Sequence, residues 1–124
     1  MLFRDKVIRG NLETRLGMRY IESDWVYFKA AILSEVFRTL EKYDIDYTTE
    51  FNNDNSDTAW LVDESFNYNE SLYSYLPRTL PDSKKDKAVE YIIHLAERAV
   101  TYILRQNLYE AVIIIYPNNG FRIW

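Results

Sequence analysis

No cysteine occurs among the 124 residues, which excludes disulfides, zinc-thiolate sites, iron–sulfur clusters and thiol nucleophiles together. A fold without them suits a reducing compartment, and the expectation is a cytoplasmic protein. Glycine and proline number only three each, so little of the chain is set aside for loops, and no glycine-rich phosphate loop is present. The single histidine, His94, shares a polar helical face with Glu90, Glu97, Arg98 and Thr101 and reads as a solvated helix residue. With one histidine and no thiol, a transition-metal site would lack its soft ligands. No apolar run approaches the ~18 residues of a membrane span, and Met1-Leu2-Phe3-Arg4-Asp5-Lys6 has no apolar signal core. The expectation is a soluble chain with no membrane partner.

Aromatic residues are abundant by contrast, eleven of them tyrosine. Asn, Ile and Tyr are frequent while Gly is scarce, a bias that AT-rich coding sequence produces in phage, viral and plasmid genes. The length fits one domain spanning residues 1–124, large enough to bury a core without staples.

Charge is distributed unevenly. Between Glu41 and Glu70 stand Glu41, Asp44, Asp46, Glu50, Asp54, Asp57, Asp63, Glu64 and Glu70 against one base, Lys42, in a chain whose total charge is only −4. Tyr43, Tyr47, Phe51, Trp60, Phe66 and Tyr68 interleave with these carboxylates, so the stretch reads as a folded acidic surface, since acidic tails lack aromatics.

The periodicities predict an α+β domain of order ββ-α-ββ(β)-α-ββ, with two helices on one face of a mostly antiparallel sheet. Phe3, Asp5 and Val7, then Leu16, Met18 and Tyr20, alternate with polar residues around a Gly10-Asn11 turn and predict two short strands within 2–22. Ser23 caps a helix to Lys42 whose Trp25, Phe28, Ile32, Val36 and Leu40 share one arc. Ile45, Tyr47, Thr49 and Phe51 alternate with Asp46, Thr48 and Glu50, a strand with one apolar and one acidic face. The Asn52–Asp57 run is a turn, 58–62 a returning strand, and 65–75 a third strand or short helical turn. After the Pro77–Pro81 break, a helix runs from Asp82 to about Gln106. Residues 109–116 include the run Ala111-Val112-Ile113-Ile114-Ile115, apolar on both faces and suited to a central strand covered on both sides. Asn119-Gly120 turns the chain back as Phe121–Trp124.

Beside its core arc the second long helix carries Ala88, Tyr91, Leu95, Ala99 and Tyr102. Apolar cover over more than half a helix exceeds the ~100° stripe of a surface helix, so either the first helix or a homodimer seam at Tyr91, Leu95 and Tyr102 covers it. Lys84, Lys85 and Lys87 crowd that helix's first turn, where the macrodipole opposes cations.

Catalytic patterns fail on inspection. A calcium loop over Asn53–Glu64 lacks a carboxylate at its first position and has Thr58 where glycine is needed. Asp44 and Asp46 on one strand, with Asp63-Glu64 beside them, could hold magnesium for a nuclease, but Pro81-Asp82-Ser83-Lys84 lies in a break before a helix. The reading is non-enzymatic, with no cofactor and no metal.

Three binding readings remain. The first is a protein-binding module whose acidic hairpin face meets a basic protein surface, in its strongest form an accessory inhibitor mimicking nucleic acid. Its contact residues would be Asp44, Asp46, Glu50, Asp54, Asp57, Asp63 and Glu64, with Tyr47 and Trp60 as aromatic anchors. The second rests on element order: from the first helix onward, α-β-β-β-α-β-β resembles the type III secretion chaperones, which implies a small acidic homodimer. The third is a nucleic-acid binder using the basic N-terminal residues Arg4, Lys6, Arg9, Arg15 and Arg19.

Overall fold

Ile8, Leu12 and Leu16 recur every four residues, and they are buried together with Asp5 on one side of helix α1 (Asp5–Leu16), as the 3.6-residue period demands. The structure, a computed structural model, describes residues 1–18, 24–52, 71–107, 110–117 and 119–124. Strand β1 (Leu2–Arg4) precedes α1. Then follow α2 (Trp25–Lys42), β2 (Asp46–Phe51), a 3-10 turn (Leu72–Tyr75), α3 (Asp82–Arg105), β3 (Glu110–Tyr116) and β4 (Gly120–Ile123). The α+β class holds, with three α-helices among the described residues and a four-stranded mixed sheet.

The expected N-terminal hairpin is not formed. Among the described residues of 2–22 only Leu2–Arg4 is a strand, and it pairs with β4 at the far end of the chain, Leu2 opposite Arg122 and Phe3 opposite Phe121. Gly10-Asn11 lies inside α1. A Cβ at Gly10 would meet nothing within 4 Å, so Gly10→Ala should stabilise the protein by about 0.5–1 kcal/mol through helix propensity. A hairpin turn at Gly10 would show the opposite sign. Thermal unfolding of the variant decides, and a lowered Tm would remove the helix assignment.

The strand order is β1-β4-β3-β2. β4 is antiparallel to both neighbours; the short connection from Tyr116 to Gly120 requires this of β3 and β4. β2 and β3 are parallel, Asp46 opposite Glu110 and Phe51 opposite Ile115, so the sheet is mixed, with its other two pairings antiparallel as expected. The chain leaves β2, passes through α3 and enters β3, and a crossover through a helix permits parallel neighbours. The expected strand at 58–62 lies outside the described residues, as does most of 65–75.

Phe3, Ala111, Ile113, Ile115, Phe121 and Ile123 form the fully buried side of the sheet, with Phe3 stacked on Phe121 at 4.6 Å between ring centroids. Their alternates Val112, Ile114 and Tyr116 are only half-buried. β3 is central in the sheet order, but it buries one face fully where burial of both was expected.

α3 buries Val89, Ile92, Ala96, Val100 and Ile103 of its expected core arc but leaves Ile93 and Leu104 exposed, and it also buries Ala88, Tyr91, Leu95 and Ala99 within the single chain. α1 packs against it: Asn11 Nδ2 donates to Tyr91 Oη at 3.1 Å and the Arg15 guanidinium sits 4.7 Å over the Tyr91 ring. Tyr91 and Leu95 are thereby 3% and 1% exposed, and the apolar flank that suggested a subunit seam lies inside the protomer. Tyr102 is half-buried against the same core. The crowded lysines are also accounted for in part. Lys85 pairs with Asp82 at 2.8 Å, and Lys84 Nζ lies beside Gly17, which ends α1, where the negative end of that helix dipole favours a cation.

Candidate functional site

The α2 helix ends in a Schellman arrangement. Ile45 N–H donates to Leu40 O at 2.9 Å and Asp44 N–H to Glu41 O at 3.1 Å, while Asp44 takes the left-handed conformation, φ 55°, that usually selects glycine. Asp44 is thus not on the strand with Asp46, as the alternation suggested, but at the joint before it. This geometry brings Glu41, Asp44 and Asp46 around one hollow of about 480 Å³, with Ile45 and Tyr47 completing its lining.

Glu41, Asp44, Asp46, Glu50 and Glu110 are all exposed, and none is in an ion pair with another described residue. Asp46 and Glu110 stand directly opposite in the parallel register, a like-charge pairing that disfavours the sheet. Lys42, the one base of the acidic stretch, lies elsewhere, lining a groove between α2 and α3 that also holds Glu35, Arg38 and Ile93. There, burial raises the Glu35 carboxyl above its usual range, with Arg38 and Lys42 opposing the shift.

Tyr47 plays a different part from the one expected. Strand alternation turns it away from Asp46 and Glu50, and its ring stacks on Phe37 at 5.0 Å, leaving it a rim of the hollow and not a free anchor. Asp54, Asp57, Trp60, Asp63 and Glu64 lie outside the described residues, as does the calcium-like loop 53–64. Among the described residues, no three of His, Cys, Asp and Glu gather as a metal ion would require. No helix among them is long and apolar enough to cross a membrane.

The basic N-terminal residues are dispersed. Arg9 lies over Trp25 at 5.1 Å, Arg15 over Tyr91 on a different surface, and Arg19 falls outside the described residues. Arg4 and Lys6 remain together and are joined by Arg122 from β4. Reading the sequence by segments missed Arg122, because only the β1–β4 pairing, Leu2 opposite Arg122, brings it there.

One buried ionic group was also missed. Lys29 and Asp5, 1% and 2% exposed, meet at 3.2 Å between Nζ and Oδ2, and Lys29 Nζ also donates to the Tyr116 carbonyl. Burial holds the Lys29 ammonium below the usual lysine range, and the attraction of Asp5 opposes that shift. Sealed from solvent, the pair joins α1, α2 and the end of β3. A buried lysine resembles a catalytic amine, but here its nitrogen is already engaged by two protein acceptors.

No protein-family model matches the chain, and neither the curated proteins nor the solved structures hold a match.

Proposed function

We propose that this chain is a non-enzymatic binding module whose acidic margin engages a basic protein surface, of the kind that otherwise meets nucleic-acid phosphates. The observation that carries the reading is the hollow at the α2–β2 joint, lined by Glu41, Asp44 and Asp46 without a cation from the described residues. Glu50 and Glu110 extend the same sign along the sheet. Unpaired carboxylates of this density repel one another, and a partner's lysine or arginine relieves that repulsion while gaining charge-assisted hydrogen bonds.

Asp44 separates function from stability. In its left-handed position glycine is the conformationally favoured residue, so Asp44→Gly should raise stability by about 0.5–1 kcal/mol. A partner recovered by co-purification with the tagged chain should nonetheless bind that variant more weakly, chiefly through a slower on-rate. Wild-type affinity should also fall steeply from about 50 to 300 mM salt as exposed charges are screened. A partner that binds wild type and Asp44→Gly equally, with no salt dependence, would reduce the margin to ordinary solvated acidity.

A further inference from the structure

A surface of the opposite sign lies across the same sheet. β1, β4 and the start of α1 enclose a cleft of about 570 Å³ whose charged lining residues are all basic: Arg4, Lys6 and Arg122, set among Leu2, Val7 and Tyr116. In a chain of net charge −4, three cations without a lining carboxylate are a local reversal. The acid nearest in sequence, Asp5, is turned inward and neutralised by Lys29. α1 begins at this cleft with no side chain capping its N-terminus, so the positive end of its dipole adds to the field.

The cleft opens onto the half-buried face of the sheet, and the register fixes what stands there. Arg4 and Tyr116 both pair with Gly120. One step along, Leu2 and Ile114 both pair with Arg122. One step further, Val112 and Trp124 exchange backbone hydrogen bonds. Alternation therefore puts Tyr116, Arg122 and Trp124 on one face, with the arginine between the two rings in register. Trp124 is 55% exposed, and the Arg122 guanidinium lies 5.1 Å over its ring. Successive steps on such a face are about 6.6 Å apart, near twice the 3.4 Å per-strand charge spacing of stacked duplex DNA. That spacing suits a strand whose bases are splayed apart. Cations that track a backbone, interleaved with rings offering π-faces to unpaired bases, are the two components of single-strand recognition.

We propose that this cleft and the adjoining sheet face bind single-stranded nucleic acid, with Arg4, Lys6 and Arg122 taking phosphates and Tyr116 and Trp124 taking bases. Asp46 and Glu50 on the opposite edge strand β2 confine the site to the β1–β4 side, and Glu110 on β3 bounds it one step beyond Val112.

The test is fluorescence anisotropy of a labelled oligothymidine about 12 nucleotides long, with circular dichroism confirming that each variant is folded. Three phosphate contacts predict a slope of log K against log salt of about −2, at roughly 0.7 per contact for single strands. Arg4→Gln with Arg122→Gln should weaken binding about tenfold or more at low salt and bring the slope to about −0.7. Trp124→Ala should weaken binding by about tenfold with the slope unchanged. Arg15→Gln, whose guanidinium covers Tyr91 elsewhere, should bind as wild type. Asp46→Asn with Glu50→Gln should tighten the oligonucleotide while loosening a basic protein partner, so the two surfaces are read separately. No binding at about 50 mM salt would overturn the proposal, and so would an equal loss in Arg15→Gln. An unchanged Trp124→Ala variant would do the same, because a pure polyanion site has no use for the ring. Preferential binding to anionic lipid vesicles, or salt-sensitive self-association that seats a second copy's acidic margin in the cleft, would assign the surface to another ligand.

Discussion

A Gly120→Ala variant should lose about 3 kcal/mol or more of stability, the combined effect of backbone strain and overpacking. Two independent causes act at this residue. Its φ is +114°, a region that side-chain-bearing residues rarely adopt. A Cβ there would stand 1.8 Å from Phe3 O and 2.8 Å from Phe3 C, which are backbone atoms and cannot rotate away. β1 has only three residues, so the least costly relief is its release from β4, and that exposes Phe3 and breaks its stack with Phe121. Asp5 follows Arg4 directly, and its N–H bonds Asn119 O at 3.2 Å, so the displacement reaches the start of α1 as well. For a domain of this size the loss corresponds to a fall in Tm of roughly 10 °C or more. Differential scanning calorimetry reads it directly, and a Tm within a degree or two of wild type would mean that β1 does not pack against Gly120.

Removing either partner of the Lys29–Asp5 pair should be comparably severe, about 3–5 kcal/mol, because the other charge is then buried without its counter-ion. Lys29→Ala strands a carboxylate whose Oδ1 has no hydrogen-bond partner even in the intact protein. Asp5→Ala leaves the ammonium with the Tyr116 carbonyl as its one acceptor among the described residues. Replacing both, Asp5→Leu with Lys29→Met, should recover most of the loss, since a buried ion pair contributes little net stability over apolar residues of similar volume. Urea unfolding of the four-member cycle gives the coupling energy. Single variants that each lose under about 1 kcal/mol would show the pair to be solvated.

The misreading of residues 5–16 shows where local patterning becomes ambiguous. Phe3, Asp5 and Val7 alternate as a strand does, while Ile8, Leu12 and Leu16 step by four as a helix does. Gly10-Asn11 tipped the reading toward a hairpin. The signal for the helix was present, and the buried set Asp5, Ile8, Leu12 and Leu16 follows it. Propensity within a dozen residues did not decide between the two. Packing into the core did, because only a helix turns that set to one side, toward α3 and, through Lys29, α2.

Several elements were legible without tertiary information. Trp25–Lys42 and Asp82–Arg105 have long runs of apolar residues at helical spacing, and both formed as helices with nearly the expected bounds. The alternation in Asp46–Phe51 separated an exposed acidic side from Tyr47 and Phe51, and β3 and β4 pair as a hairpin as expected, although the reversal lies just before Gly120, which opens β4. These features arise from contacts close in sequence, where one period or one turn preference suffices. Long-range contacts decided the rest. The pairing of Leu2–Arg4 with β4, the parallel alignment of β2 with β3, the burial of Tyr91 by α1 and the meeting of Lys29 with Asp5 each join residues far apart in the chain. The assembly of Arg4, Lys6 and Arg122 into one cleft belongs with them. No local pattern encodes which distant strand becomes a neighbour, because that choice minimises the exposed apolar area of the whole chain at once.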